Sequence, residues 1–307
     1  MDGFVVKIFQ SPIPIWVLIS IWQNRWRSLS GGRLMETLHL LVVGKVWTLF
    51  FGPVVNAARG ISVQVQNITN TFIQSYQMAL QPQIIKSYAS GNLSYMRRLV
   101  IICSKYGFYL MLMVAFPILN YTESILNLWL VHIPEDTIFL VQIILLVCFI
   151  TPLRQPLIQS INATGNIKRF QIIEGTILLM AVPVAYIELK YFHFSLFTVM
   201  ASYLCIEYIA QIARIWIVLP YIEFSYREYF KAILYPIGKV VIVLVAIHFF
   251  IRSFLSNTNW EIFCGLCLSE LLCITICFSL GTNSTERQQI ISFITNRIKQ
   301  CWNWNIP

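Results

Sequence analysis

Long apolar runs separated by short polar ones dominate the chain. A helix that crosses a bilayer needs about 20 mostly apolar residues. Seven stretches meet that length: 60–82, 99–120, 138–160, 170–189, 194–218, 232–252 and 260–280. An eighth, 35–51, is shorter and carries Lys45. The pattern predicts an all-α integral membrane protein, a bundle of about 7–8 transmembrane helices. Residues 11–22 are apolar but too short to span. They have no small-residue cleavage site beside them, so no signal peptide is expected.

The stretch 60–82 differs from the rest. At about 100° per residue, Arg59, Gln66, Asn70, Gln74, Gln77 and Gln81 share one face, with Asn67 at its edge. Val65, Ile68, Phe72, Tyr76 and Ala79 lie opposite. Such a stripe is costly against lipid, so it should turn to the bundle interior or to a watery cavity. One reading is interhelical hydrogen-bond glue. The other is a ligand wall, which Arg59 favours, because an intramembrane charge is by default a functional candidate. Guanidinium grips phosphate oxygens, and amides both donate to and accept from sugar hydroxyls. Arg59, Gln66, Asn70, Gln74 and Gln77 are therefore the substrate-binding candidates.

Weaker candidates lie elsewhere. Arg154, Gln155, Gln159 and Asn162 mark one end of 138–160, and Pro152 and Pro156 predict a kink there. Arg154 either lines a cavity or snorkels to headgroups. Glu174, Glu207 and Glu270 fall in or near spans. Each either couples transport to protons or pairs with a neighbouring base. Arg154, Glu174 and Glu207 are the candidate coupling or cavity residues.

Composition agrees with a lipid-embedded chain. Of the 307 residues 57% are hydrophobic and 11% charged, against about a quarter charged in soluble domains. Mean hydropathy is +0.69. The net charge of +9 comes without basic runs and interleaved aromatics, so nucleic acid is not an expected partner. The Lys and Arg residues sort by segment instead. Thirteen lie in 86–105, 154–169, 214–231 and 281–307, and two in 120–137, 188–195 and 252–260. The positive-inside rule puts the first group, with the C-terminus, in the cytoplasm. Trp129, Tyr191, Tyr221 and Trp260 fit an aromatic belt. The tail pattern Ile290, Phe293, Ile294, Ile298 suits either an interfacial helix or a solvated end.

No catalytic chemistry is expected. His39, His132, His193 and His248 are scattered, and no Walker-type glycine loop or nucleophile–base grouping occurs. Cys264-x-x-Cys267 and Cys273-x-x-x-Cys277 lie in an apolar run and read as packing residues, not metal ligands. No cofactor is expected.

Several segments resemble one family. Phe51-Gly52-Pro53-Val54-Val55-Asn56-Ala57-Ala58-Arg59-Gly60-Ile61 resembles the turn between helices 7 and 8 of bacterial polysaccharide flippases. Gln81-Pro82-Gln83-Ile84-Ile85-Lys86-Ser87-Tyr88-Ala89, with Gly91-Asn92, is similar to the same family. So are Pro117-Ile118-Leu119, Leu126-Asn127-Leu128-Trp129-Leu130 and Ala163-Thr164-Gly165-Asn166-Ile167-Lys168. The likeness runs from about Phe51 to about Ala246. These are lipid-linked oligosaccharide (O-antigen type) flippases of the multidrug/oligosaccharidyl-lipid/polysaccharide exporter superfamily.

The resemblance implies two six-helix lobes plus extra helices, 12–14 in all, and alternating access to a central basic cavity. It implies an undecaprenyl-diphosphate-linked glycan as cargo, in the bacterial inner membrane. Arg59 is the residue that best fits a headgroup contact. The first lobe is missing from this likeness. Residues 1–34 are atypical, 35–218 read as the second lobe with a shortened first helix, 219–280 as additional helices, and 281–307 as a cytoplasmic tail. Alternating access needs two lobes, so a first-lobe partner or glycan polymerase machinery is an expected companion, besides membrane lipid. A drug or cation exporter of the same superfamily and a non-transporting remnant are the alternatives.

Overall fold

Prolines and glycines, more than hydropathy, decide where the helices of this chain stop. The computed structural model describes the backbone of residues 31–252 and 259–282 and of 286–288, 291, 292 and 295. Side chains are described over 54–250 and 265–282 and at those tail positions. The atypical start, the tail pattern at Ile290, Phe293, Ile294 and Ile298, and the side chains of Lys45, Trp260 and Cys264 lie outside the described residues.

The first helix, α1, runs Gly31–Ala89 without interruption. Asn92 then caps the next helix, accepting from the Tyr95 N–H at 3.0 Å. That helix is α2, Leu93–Asn120, followed at the far end by the short α3, Thr122–Trp129. α4 (Thr137–Cys148) and α5 (Thr151–Thr164) are two halves of one crossing. Their break lies just before Pro152, which lacks the N–H to continue the ladder. Gly165, at φ 73°, ends α5 in the left-handed conformation that a glycine adopts most readily. α6 (Lys168–Leu179) and α7 (Ala181–Lys190) repeat the device, with Pro183 just past the break at Met180. α8 is Leu196–Tyr221 and α9 is Tyr226–Tyr229. A π-turn, Phe230–Leu234, leads into α10, Tyr235–Arg252. α11 is Asn259–Leu280.

The result is an all-α membrane bundle. Five helical stretches are long and apolar enough to cross a bilayer: Leu93–Asn120, Thr137–Thr164, Lys168–Lys190, Leu196–Tyr221 and Tyr226–Phe250. The apolar part described in α11, Gly265–Leu280, is shorter. The expectation of separate helices at 35–51 and 60–82 is corrected. Both belong to α1, and the backbone stays helical through Gly52 and Pro53, where the resemblance implied a turn. At ~1.5 Å per residue its 59 residues extend about 88 Å. Over its described side chains, 54–89, α1 is not apolar enough to join the five, because amides and hydroxyls dilute its apolar content there.

Packing orders the helices. α1 lies against α2, α4 and α5, while α8 lies against α4, α5, α6 and α7. α2 is the shared wall: its other side meets α10 and α11. One core joins Leu112, Leu157, Val218, Val240 and Cys277, from helices on both sides of residue 218.

Contacts at the two ends confirm that successive crossings are antiparallel. Arg97 at the start of α2 donates to the Glu223 carbonyl after α8. Tyr109 Oη donates to the Gly281 carbonyl after α11 at 3.0 Å. At the opposite end Tyr121 meets His248 edge-on. The segments 86–105 and 214–231 thus share one end. Of the basic residues counted with the Lys/Arg-rich segments, Lys105 in α2 and Arg214 in α8 are buried within their helices, and Arg154 in α5 is half-buried.

Candidate functional site

The polar stripe of α1 is split by the packing. The buried side of the helix is Ala58, Ser62, Val65, Thr69, Ile73, Gln77, Ile84 and Ser87. Among the stripe residues only Gln77 joins it. Its Nε2 donates to the Pro152 carbonyl at 3.1 Å. That carbonyl has lost its helical donor, because the residue four positions on is Pro156, which has no N–H. A side-chain amide from another helix restores the bond. One turn further, Gln81 Nε2 donates to Gln159 Oε1 at 2.7 Å. Gly107 of α2 makes the crossing possible: a Cβ there would lie 3.3 Å from Pro152 Cβ and 3.4 Å from Gln77 Nε2.

Gln77 is therefore a positioning residue of the α1–α5 crossing, not a free ligand contact as the stripe alone suggested. Gln77→Leu strands the Pro152 carbonyl and should destabilise the bundle by about 1–3 kcal/mol. Thermal unfolding of the detergent-solubilised protein reads this out, and an unchanged midpoint contradicts it.

The other stripe residues divide. Gln66 and Asn70 are half-buried, and Asn70 Oδ1 is enclosed without a hydrogen-bond partner among the described residues. Gln74 is exposed. Around it stands an exposed polar face that the stripe only touched: Asn56, Gln64, Asn67, Thr71 and Ser75. The hydroxyls of Thr71 and Ser75 return to the carbonyls of Asn67 and Thr71. Elsewhere the exposed surface of the spans is mostly apolar, with Ile209, Ile212 and Trp216 on α8, Ile242 and Phe249 on α10 and Leu271 on α11. Of the residues placed opposite the stripe, Ile68 and Phe72 are exposed and Val65 is buried.

A charged cluster sits deeper. Tyr203, Glu207, Gln211 and Arg214 recur at three- and four-residue spacing on α8 and so share a face. Arg214 is wholly buried, at 0% exposure. Its Nε donates to Glu174 Oε1 at 2.6 Å, and its Nη1 to Gln211 Oε1 at 3.2 Å. Its Nη2 lies 3.9 Å from Glu207 Oε2. Tyr203 Oη donates to Glu207 Oε1 at 3.3 Å. Arg59 of α1 and Arg154 of α5 both lie within electrostatic range of Tyr203.

The cluster therefore draws Arg59, Arg154, Glu174 and Glu207, four of the eight candidates, toward α8. Arg214 is matched in it by two carboxyl groups, Glu174 and Glu207, and Arg59 and Arg154 lie at its margin. Arg154 Nε is enclosed without a hydrogen-bond partner among the described residues. Sequence reading missed Arg214, counting it with the following loop. The spacing 203, 207, 211, 214 was the signal that could have found it. It also missed Glu188 of α7, which accepts from Ser202 Oγ at 2.5 Å.

Glu270 stands apart on α11, away from this cluster. Among the described residues no group of three His, Cys, Asp or Glu side chains can hold a metal ion. Cys273 and Cys277 are buried in the core, as packing residues. No protein-family model matches the chain, and neither a curated protein nor a solved structure matches it.

Proposed function

We propose that this chain is one lobe of a carrier that moves an anionic, sugar-bearing lipid across the bacterial cytoplasmic membrane, as the lipid-linked oligosaccharide flippases do. One observation carries this reading. Half-buried Gln66 and Asn70 share a face of α1 with half-buried Arg59, which lies within electrostatic range of Tyr203 in the charged cluster. A diphosphate answers a guanidinium, and sugar hydroxyls answer amides. Arg59, on the same helix as the amides, is assigned to the headgroup. Gln66 and Asn70 are assigned to the glycan side, and Gln77 to the scaffold. Glu174 and Glu207 orient Arg214 in this account, and Arg154 is a second candidate for the headgroup. With the Lys/Arg-rich end in the cytoplasm, the C-terminal tail lies inside. A carrier of organic cations is the second reading, and the guanidinium of Arg59 disfavours it.

Complementation tests the proposal. The chain is expressed in a Gram-negative strain lacking its O-antigen flippase, alone and with a separately encoded first lobe, and surface glycan is measured. Restored glycan in either case supports the reading. No glycan in both, with the protein inserted, rejects it and leaves cation export or a non-transporting remnant. In the restoring combination, Arg59→Ala should lower glycan export about tenfold or more while insertion is unchanged, since it removes a charge-assisted contact worth about 1.5–3 kcal/mol. Normal export in that variant removes Arg59 from the site.

A further inference from the structure

The exposed polar face of α1 cannot be left to lipid. Asn56, Gly60, Gln64, Asn67, Thr71, Gln74 and Ser75 are all exposed, on a strip about 100° wide. From Asn56 to Ser75 the strip rises about 29 Å, close to the ~30 Å hydrocarbon thickness of a bilayer. Snorkelling rescues polar groups near the interfaces and not a strip of this length. The amides of Gln64, Asn67 and Gln74 would each meet hydrocarbon without a partner, at a cost of several kcal/mol per group by the ~2–7 kcal/mol scale for unpaired polar burial. The exposed faces of α8, α10 and α11 are dominated by Ile, Leu, Phe and Trp instead.

We infer that this strip is a homodimer interface, in which a second copy of the chain lays its own α1 against it about a twofold axis. The inference rests on the carrier reading above only in that the two copies together would enclose the polar pathway. The choice of partner comes from charge. The strip carries no ionisable group, so a charged partner surface would gain nothing there. Amides donate and accept equally, which makes the strip complementary to itself, as an isologous interface requires. Arg59 lies off the strip on the helical wheel and is half-buried, within electrostatic range of Tyr203, so a twofold partner need not set two guanidinium groups face to face. Gly60 adds room: a Cβ there meets nothing within 4 Å, and small residues let membrane helices approach closely.

Photocrosslinking of the full chain in lipid nanodiscs tests this. Benzoylphenylalanine is placed at Gln74, at Asn67 and, as a lipid-facing control, at Ile212. The expected result is a covalent dimer from Gln74 and Asn67 and none from Ile212. The triple variant Gln64→Leu, Asn67→Leu, Gln74→Leu should weaken self-association about tenfold or more, from the loss of interhelical bonds worth about 0.6–2 kcal/mol each. Monomers at every position, or dimers from Ile212 alone, overturn the inference. The two readings separate cleanly. Monomers together with rescue by an added first lobe reject the homodimer and keep the carrier. Dimers without rescue in any combination keep the homodimer and reject the carrier.

Discussion

Replacing Arg214 with alanine is expected to cost the bundle about 3–5 kcal/mol, the range for removing one partner from a buried ionic cluster. Arg214 binds Glu174 at 2.6 Å and Gln211 at 3.2 Å and approaches Glu207 at 3.9 Å. Glu174 and Glu207 are themselves only 15% and 8% exposed. Without Arg214 both carboxyl groups lose their only hydrogen-bonded or ion-paired guanidinium among the described residues. Arg214→Lys should recover little, because a single ammonium cannot reproduce a fork that serves three partners in three directions. The combination Arg214→Met, Glu174→Gln, Glu207→Gln should recover most of the loss, since it removes the charge of Arg214 together with those of its two carboxylate partners. Thermal denaturation followed by size-exclusion fluorescence measures all three. A single alanine variant as stable as the parent contradicts the account of the cluster.

The second large effect is expected at the tail. Lys105 is 3% exposed inside α2, and its Nζ meets both Glu286 oxygens, at 2.9 and 2.7 Å. Glu286 is 26% exposed, so its own share of the pair is partly solvent-screened. The asymmetry sets the prediction. Glu286→Ala strands a buried ammonium and should destabilise by several kcal/mol, toward the ~3–5 kcal/mol range for breaking a buried pair. Lys105→Met leaves a carboxylate that water can reach and should cost much less. In the double variant the loss should shrink to near that of Lys105→Met, a strong coupling in a double-mutant cycle. Additive losses would mean that the pair is not coupled. Tyr109, bonded to the Gly281 carbonyl one turn along α2, holds the same tail segment and should be unaffected in the double variant.

The bundle was legible from hydrophobic run lengths because in lipid the period and length of an apolar stretch answer directly to the solvent. Charge sorting located the two ends for the same reason. Three basic residues escaped it. Lys105, Arg154 and Arg214 lie within about two or three turns of a helix end, where a count by segment cannot tell a loop charge from a buried one. What betrays them is the company they keep on the helix surface and in space: Glu286 for Lys105 and Glu174 for Arg214.

The stripe on α1 was legible as a stripe but not as two functions. A helical wheel gives the angle of Gln77 and Gln74 and says nothing about which neighbour fills which side. Pro156 decided it, by freeing a carbonyl on α5 that only Gln77 reaches among the described hydrogen bonds. The length of α1 was illegible for a related reason. Gly52-Pro53 reads as a stop, yet a proline only forbids the bond to the carbonyl four residues back, and the helix continues past it.

The most direct test of the central claim, that the amide face of α1 is turned away from lipid, is site-directed spin labelling of the full chain in lipid nanodiscs. Labels at Gln74 and Asn67 are compared with one at Ile212 for collision with oxygen, which concentrates in hydrocarbon. The account predicts low oxygen accessibility at Gln74 and Asn67 and high accessibility at Ile212. Equal, high oxygen accessibility at all three positions would place the amides against lipid and contradict it.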